Sequence, residues 1–215
     1  MEGASIPETA VKTKEHLVQL SKRGRMLVAS YEAIRFQKLD LFGVMLRQIG
    51  AHIQKQQLAD AVNVLIDGDG NENAAAKYTV GTAPISGTKG KLAYDQLVEF
   101  WGQFDPYTMN TILCSTGTMM KLLKVPELQN PLTGLNFQGT GKLTSPLGAQ
   151  LHRTSAMADG VIIGLDNRYA LELVRAGDVL VEYDKLIDRQ LERAAITSIS
   201  GFGKICDGAS CVLNV

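Results

Sequence analysis

The sequence predicts an α+β protein organised around one unusually long helix. Residues 31–66 contain no proline and repeat apolar side chains at helical spacing over about ten turns. The rest of the chain mixes short apolar runs, typical of buried strands, with shorter helical segments. These runs do not follow the regular strand–helix–strand rhythm of a doubly wound sheet, so α+β is favoured over α/β.

Residues 5–29, ahead of the helix, are predicted to be extended. Ser21-Lys22-Arg23-Gly24 would form a tight connection between two extended stretches, with glycine supplying the unusual backbone angle. The segment has too few apolar residues to form a core of its own. We therefore expect an arm or hairpin that lies against another part of a protein.

The long helix has recognisable ends. Ser30 is a favourable N-cap, and Glu32 places a negative charge in the first turn, where the helix dipole favours it. Asp67-Gly68-Asp69-Gly70 ends the helix with glycines suited to a left-handed cap. About 36 residues at about 1.5 Å each give roughly 54 Å, whereas a compact chain of this size is on the order of 45 Å across. Such a helix indicates an elongated, lattice-forming subunit rather than a compact enzyme.

The next residues are predicted to alternate loops with short helices and strands. After a loop over residues 67–90, a second helix would end at Asp105-Pro106. Its buried face would consist of Leu92, Leu97, Val98, Phe100, Trp101 and Phe104. A buried strand over residues 111–116 and a short helix over residues 117–123 would follow, ahead of a loop over residues 129–149.

The C-terminal part is predicted to be mostly strand. Residues 161–166 form a buried strand, and residues 170–184 form a strand, a turn at Ala176-Gly177-Asp178 and a second strand. Residues 186–199 fit either one more helix or a long strand. Two short strands, FGKIC and SCVLNV, end the chain.

The bulk composition restricts the function classes. The 215 residues suffice for one domain or two, and 22 basic residues balance 22 acidic ones. A protein that grips nucleic acid usually carries a basic excess, so sequence-specific reading of DNA or RNA is not expected. No apolar stretch approaches the ~20 residues of a membrane span, and the N-terminus lacks the pattern of a secretory signal. Three cysteines, Cys114, Cys206 and Cys211, suit a reducing compartment.

The glycine-rich motifs do not match nucleotide or calcium sites. GTKGK (residues 87–91) and GTGKL (residues 139–143) lack both the leading glycine and the Ser or Thr after lysine that a phosphate-binding loop requires. DGDGNEN (residues 67–73) begins like a calcium loop, but Glu72 and Tyr78 stand where the loop needs glycine and a bidentate glutamate. We interpret the first two as flexible loops and the third as a helix cap running into a solvated loop.

No catalytic, metal-binding or cofactor-binding residue is predicted, and we expect that the chain is not an enzyme. The histidines, His16, His52 and His152, are far apart, and the spacing of Cys206 and Cys211 is wider than that of the usual zinc pair. No nucleophile-elbow motif occurs. The aspartates of the C-terminal part, Asp166 among them, are expected mostly at turns or on solvated faces.

Several segments occur in an order that one family shares. EGASIPE (residues 2–8) precedes a lysine-rich extended segment, LSKRGRMLVASYEAIR (residues 20–35) opens the long helix, and LIDGDGN (residues 65–71) closes it. FDPYTMNTILCSTGTMMKLLKV (residues 104–125), SPLGAQLHRTSAM (residues 145–157) and VIIGLDNRYALELV (residues 161–174) follow. In this order the segments resemble tailed-phage major capsid proteins of the Hong Kong 97 type.

The resemblance implies the Hong Kong 97-type capsid fold with a long spine helix. Residues 1–30 would be the returning half of an extended loop, residues 31–90 with 180–215 a peripheral domain, and residues 91–179 an axial domain. Subunits would self-assemble through pentamers and hexamers into the icosahedral shell of a phage or prophage. Compared with the family, the chain looks shortened at its N-terminus, so we expect that it does not form complete shells by itself.

The same resemblance implies the partners and the location. The main partners would be other copies of the chain, joined by scaffolding, portal or decoration proteins. Packaged DNA would be contacted only non-specifically, and no membrane would be involved. The protein would be a virion component assembled in the cytoplasm of a bacterial host.

Two alternatives remain at this point. The shell of an encapsulin-like cellular compartment shares the fold and would enclose a cargo enzyme. A small-molecule-binding or hydrolytic α/β enzyme would instead require a deep pocket with convergent titratable groups.

Overall fold

Five helices and nine strands are assigned in the part of the chain that the structure describes, which is residues 17–36, 41–129 and 147–215 of a computed structural model. The helices are α1 (Tyr31–Phe36), α2 (Leu41–Asp67), α3 (Tyr94–Trp101), α4 (Thr116–Leu123) and α5 (Pro126–Gln129). The strands are β1 (Ser21–Ser30), β2 (Ala76–Thr79), β3 (Thr111–Cys114), β4 (Gln150–Arg153), β5 (Val161–Leu165), β6 (Leu171–Arg175), β7 (Leu180–Leu186), β8 (Leu191–Lys204) and β9 (Ser210–Asn214). The α+β prediction is confirmed.

Two helices, α1 and α2, lie within the predicted long helix. Ser30 Oγ accepts a hydrogen bond from the Ala33 N–H at 3.2 Å, which confirms the predicted N-cap. Gly68, with a φ of +85°, ends α2 where the left-handed cap was predicted. The continuity of the helix depends on residues 37–40, which lie outside the described residues. The 27 residues of α2 alone extend for about 40 Å.

A five-stranded sheet separates two apolar cores. Its order is β2-β9-β5-β3-β4, and successive residues of each strand point to opposite faces. In β5, Ile162 belongs to the core that contains α3 and α4, and Ile163 belongs to the core on the other face. The C-terminal half of α2 packs in that second core through Val62 and Leu65.

A close approach at Gly164 fixes the distance between α3 and the sheet. A Cβ atom on Gly164 would lie 2.7 Å from Met109 Sδ, 2.8 Å from the Phe104 ring and 2.9 Å from the Phe100 ring. Phe100 and Phe104 pack edge to face with ring centroids 5.4 Å apart. Glycine is therefore required here because aromatic rings occupy the space of a side chain.

The second sheet has four strands and is centred on β8. β1 pairs with β8 along one edge, from Leu191 to Ser200. β6 pairs with residues 200–204 and β7 with residues 191–197, along the other edge. All three strands are antiparallel to β8.

Helix α2 covers one face of this four-stranded sheet. Arg23 of β1 forms a two-pronged ion pair with Asp60 of α2, with nitrogen–oxygen distances of 2.7 and 3.1 Å. Gln57 Nε2 donates to Ser198 Oγ at 3.1 Å and to Ser200 Oγ at 3.0 Å. Arg23, Ser198, Ser200 and the alternate residues in line with them along each strand point towards α2, and we call this side of the sheet the helix face. The residues between them point away from α2 and form the outer face.

The predicted connection at Ser21-Lys22-Arg23-Gly24 is wrong. These residues lie within the continuous strand β1. A Cβ atom on Gly24 would lie 2.7 Å from the Ile196 carbonyl oxygen of the paired strand. The glycine therefore permits close strand packing and does not make a turn. The part of the predicted extended segment before residue 17 lies outside the described residues.

The C-terminal strand predictions are confirmed with changes. Gly177 has a φ of +93° at the predicted turn, but the chain does not reverse there, because β6 and β7 both run antiparallel to the same strand. Of residues 186–199, predicted as helix or strand, residues 191–199 lie in the 14-residue strand β8, which also contains most of FGKIC. Residues 187–189 form a 3-10 turn ahead of it. Strands β2 and β4 were missed, because each has only four residues and neither forms a continuous apolar run.

The second predicted helix is confirmed as α3 with a following 3-10 turn, but its buried face is narrower than predicted. Leu97, Phe100 and Phe104 are buried, whereas Val98 and Trp101 are exposed. The predicted strand at residues 161–166 and the helix at residues 117–123 are confirmed. The loop over residues 129–149 lies largely outside the described residues.

The division into peripheral and axial domains stays a prediction. The two sheets do not follow the predicted bounds. Strand β9, in the predicted peripheral domain, lies in the five-stranded sheet, and β6, in the predicted axial domain, lies in the four-stranded sheet. None of the helices in the described ranges is both long and apolar enough to cross a membrane.

Candidate assembly surfaces

The glycine-rich loop at residues 87–91 packs against α3. Gly87 has a φ of +106°, and a Cβ atom there would collide with the Gln96 side chain. Gln96 Oε1 in turn accepts from the Ala93 N–H at 2.5 Å, which orders the start of the helix. The second loop, residues 139–143, lies outside the described residues.

The loop over residues 67–73 is held by hydrogen bonds within the loop and to Lys204 at the end of β8. Asp69 Oδ2 accepts from the Lys204 backbone N–H at 2.9 Å, and Asp69 Oδ1 accepts from Asn71 Nδ2 at 2.8 Å. The buried Lys204 Nζ donates to the Asn73 carbonyl at 2.8 Å. The helix cap is confirmed, but the loop is more packed than the predicted solvated loop, since it ties the end of α2 to the end of β8.

The carboxylate of Asp69 should stabilise the fold in a pH-dependent way. Burial opposes its ionisation, but the hydrogen bonds from the Lys204 backbone N–H and from Asn71 are the main causes that lower the pKa of Asp69 to about 2. We expect Asp69→Asn to lower the free energy of unfolding by about 1–2 kcal/mol at neutral pH. A lowered pKa stabilises the fold above the pKa of the unfolded chain, near 3.8. The difference between wild type and variant should therefore shrink as the pH falls from 5 towards about 2.

Urea unfolding followed by circular dichroism between pH 3 and pH 7 measures this difference. Asp67→Asn is the matched control, because Asp67 is exposed and pairs only across the surface with Lys77. A pH-independent difference between Asp69→Asn and wild type would contradict the expected role of the ionised carboxylate.

Asp166 lies at the turn after β5, as expected for most of these aspartates, but its side chain is fully buried and not solvated. Its carboxylate accepts from the Arg168 side chain and backbone, from the Thr108 N–H and from Asn110 Nδ2, at 2.8–3.2 Å. The Arg168 guanidinium is the main cause that holds the pKa of Asp166 well below its usual range, against the effect of burial. These bonds join the loop before β3 to the end of β5, so the role is structural.

Titratable groups do not converge in a catalytic arrangement in the described ranges. The side chains of His, Cys, Asp and Glu there form no group of three or more that could hold a metal ion. Burial raises the pKa of the Cys114 and Cys211 thiols to about 11, which makes both poor nucleophiles. The surface features of the molecule are therefore more informative about function.

The outer face of the four-stranded sheet carries an exposed apolar patch. We define the outer patch as Met26, Val28, Leu180, Glu182 and Ala195. Register places Met26 and Glu182 on either side of Ala195, so the three side chains share this face. Met26 is 58% exposed and Leu180 is 54% exposed. Such an apolar surface, which α2 does not cover, is typical of an interaction site.

A second uncovered surface lies along α2. We define the helical patch as Val44, Arg47, Ala51, Lys55 and Leu58, whose spacing of three or four residues places them on one side of the helix. Val44 is 41% exposed and Leu58 is 43% exposed. The same side of the helix continues into Val62 and Leu65, which are buried in the second core.

The family comparison identifies the kind of molecule that has these surfaces. The family model of the phage capsid proteins matches residues 13–188. The chain belongs to the phage capsid protein family. A comparison with curated proteins gives no significant match.

Solved capsid structures share the fold of this capsid protein. The capsid of the native GTA particle matches with a TM-score of 0.72 at 15% identity, over 100% of this chain and 79% of that chain. The structure of Mycobacterium phage Che8 matches with a TM-score of 0.71 at 14% identity, over 90% of this chain and 70% of that chain. The holo-SrpI encapsulin complex from Synechococcus elongatus matches with a TM-score of 0.63 at 15% identity, over 91% of this chain and 73% of that chain.

The resemblance to major capsid proteins of the Hong Kong 97 type is thereby confirmed, together with the fold class and the role as a shell subunit. The chain is a structural protein and a virion component. The two patches were not predicted from the sequence. The signal that could have revealed the helical patch is the spread of apolar residues around α2, which exceeds what one sheet can cover.

Proposed function

We propose that this capsid protein is a subunit of a closed icosahedral shell built from pentamers and hexamers, with the outer patch and the helical patch as subunit contacts. The observation that carries the proposal is the exposure of two apolar surfaces on opposite sides of α2 and its sheet. Burying apolar surface is the main source of association free energy in obligate assemblies. A subunit with two such surfaces can bind two neighbours, which is the minimum for a ring.

We also propose the regional division stated above, with peripheral residues 31–90 and 180–215 and axial residues 91–179. The presence of two sheets with α2 between them supports two regions. The residue bounds follow the family resemblance, and β2, β6 and β9 fall on the other side of them. Residues 1–30 would form the returning half of the extended loop, and β1 within them pairs with β8, which anchors the base of that loop.

The partners other than copies of the chain follow from the same proposal. Scaffolding, portal or decoration proteins would bind the assembling shell, and packaged DNA would be contacted without base recognition. The equal numbers of basic and acidic residues support non-specific apposition over tight DNA binding. Assembly in the host cytoplasm is supported by cysteines that are all free. We propose no enzymatic activity.

The second candidate is the shell of a cellular compartment, supported by the match to the encapsulin complex. The two functions use one fold and differ in the contents of the shell. Isolation of particles from the source cells and analysis of their contents by mass spectrometry and nucleic-acid extraction separates them. Packaged DNA supports the phage capsid, and a single cargo protein supports the compartment.

Substitution in the outer patch tests the assembly proposal. Met26→Asp should leave the subunit folded and abolish pentamers and hexamers in sedimentation velocity, because it places a charge in the centre of an apolar contact. Met120→Asp is the matched control, because Met120 is 55% exposed on α4, outside both patches. Circular dichroism verifies that both variants are folded. Oligomers of wild-type size from folded Met26→Asp would overturn the proposal.

A further inference from the structure

We propose that the helical patch of one copy docks on the outer patch of the next copy, with Arg47 and Lys55 facing Glu182. This inference rests on the proposed self-association and names the two surfaces that meet. It commits to a second copy of the chain as the occupant of both surfaces.

The helical patch continues, along the same side of α2, into residues that pack in the second core. On the same side of α2, Val62 and Leu65 are 1% and 3% exposed because the five-stranded sheet covers them. Towards the N-terminus the sheet ends, and Val44 and Leu58 remain exposed. The helix therefore presents a side that suits packing on a sheet face, with no sheet of its own chain over it in the described ranges.

The outer patch lies on an uncovered sheet face, and such a face could cover the helical patch. Met26, Leu180 and Ala195 form its apolar part, on three adjacent strands. A helix lying across three strands contacts such a face through residues three and four apart. The shapes of the two patches are thus those of a helix-on-sheet contact, like the contact that α2 makes with the other face of this sheet.

The charges of the two patches are complementary. Residues 41–58 contain Arg47 and Lys55 and no acidic residue. On the outer patch, Glu182 has no ion pair or hydrogen bond to any side chain that the structure describes. The neighbouring pair of Asp184 and Arg193 is already neutralised within the sheet. The helical patch is therefore basic and the outer patch acidic, which steers one onto the other.

Charge also disfavours the alternative pairings. Two helical patches in contact would bring Arg47 and Lys55 against the same cations of the other copy, and two outer patches would oppose Glu182 to Glu182. A contact between different patches is heterologous, and heterologous contacts generate rings when the rotation closes. Rings of five and six subunits are assemblies of this kind.

Charge reversal in each patch tests the pairing. The double variant Arg47→Glu, Lys55→Glu and the single variant Glu182→Lys should each associate at least about tenfold more weakly than wild type, because like charges then face each other. Sedimentation velocity over a concentration series measures the association. Lys121→Glu with Lys124→Glu, at exposed positions near the end of α4, is the matched control and should associate like wild type.

A variant that carries all three reversed charges gives the decisive test. The triple variant Arg47→Glu, Lys55→Glu, Glu182→Lys restores opposite charges at every contact and should associate within about threefold of wild type. A mixture of the double and single variants should form mixed oligomers at concentrations where each variant alone associates only weakly. Both results would support the proposed pairing.

The failure of this pairing can be distinguished from failure of self-association itself. If wild type associates but the triple variant remains as weak as its parents, the pairing is wrong and the assembly proposal stands. The pairing is equally overturned if the single and double variants associate like wild type. A wild-type chain that remains monomeric at all concentrations contradicts the proposed function.

Discussion

Substitution of Phe100 by alanine is expected to lower the free energy of unfolding by about 4 kcal/mol. The Phe100 ring is fully buried and contacts the rings of Tyr78 and Phe104, with centroid distances of 6.2 and 5.4 Å. Gly164 lies beneath it and has no side chain that could move into the vacated space. The cavity would therefore persist. Urea unfolding of the dilute subunit, followed by circular dichroism, measures the change.

Trp101→Ala is the control for the Phe100 variant. Trp101 is the next residue of α3 and is 45% exposed, so the same type of truncation should change the free energy of unfolding by less than about 1 kcal/mol. Comparable effects of the two substitutions would show that the ring of Phe100 is not held as described.

Asp166→Asn should lower the free energy of unfolding by about 2–3 kcal/mol. In the native protein, N–H groups of Thr108 and Arg168 donate to the two carboxylate oxygens. Asparagine keeps one of these oxygens, but its NH2 group replaces the other, so a donor would face a donor. The buried site has no solvent that could relieve this mismatch. The exposed guanidinium of Arg168 can return to water, which limits the loss. The same unfolding measurement at neutral pH tests the expectation.

Asp178→Asn is the matched substitution for the Asp166 variant. Asp178 lies exposed in the turn between β6 and β7, so removal of its charge should change the stability of the subunit by less than about 0.5 kcal/mol. An Asp166→Asn subunit as stable as wild type would mean that the five hydrogen bonds contribute little to the fold.

Features that depend on neighbouring residues could be predicted from the sequence. The ends of the long helix were predicted correctly because Ser30 and Gly68 act on the backbone within one turn. The pairing partners of β1 could not be predicted, since Gly24 has the same chemical identity in a turn and in a close strand contact. Only the position of Ile196, far along the chain, distinguishes the two.

The assembly surfaces illustrate a second limit. Apolar side chains such as Leu180 and Val98 are chemically suited to a core, and the sequence does not show whether the same chain covers them. In the four-stranded sheet, α2 covers the helix face, whereas no described residue covers the outer face. The membership of the family was predictable because it depends on the order of many segments, each weak on its own.

The central position of β8 has a consequence for synthesis of the protein. β1 pairs with residues that follow it by about 160 to 180 positions, and β6 and β7 also depend on β8. The sheet that presents the outer patch is therefore complete only after residues 191–204 have been synthesised. Until then, nascent chains on one messenger RNA lack the finished outer patch, and we expect this to prevent their premature association through it.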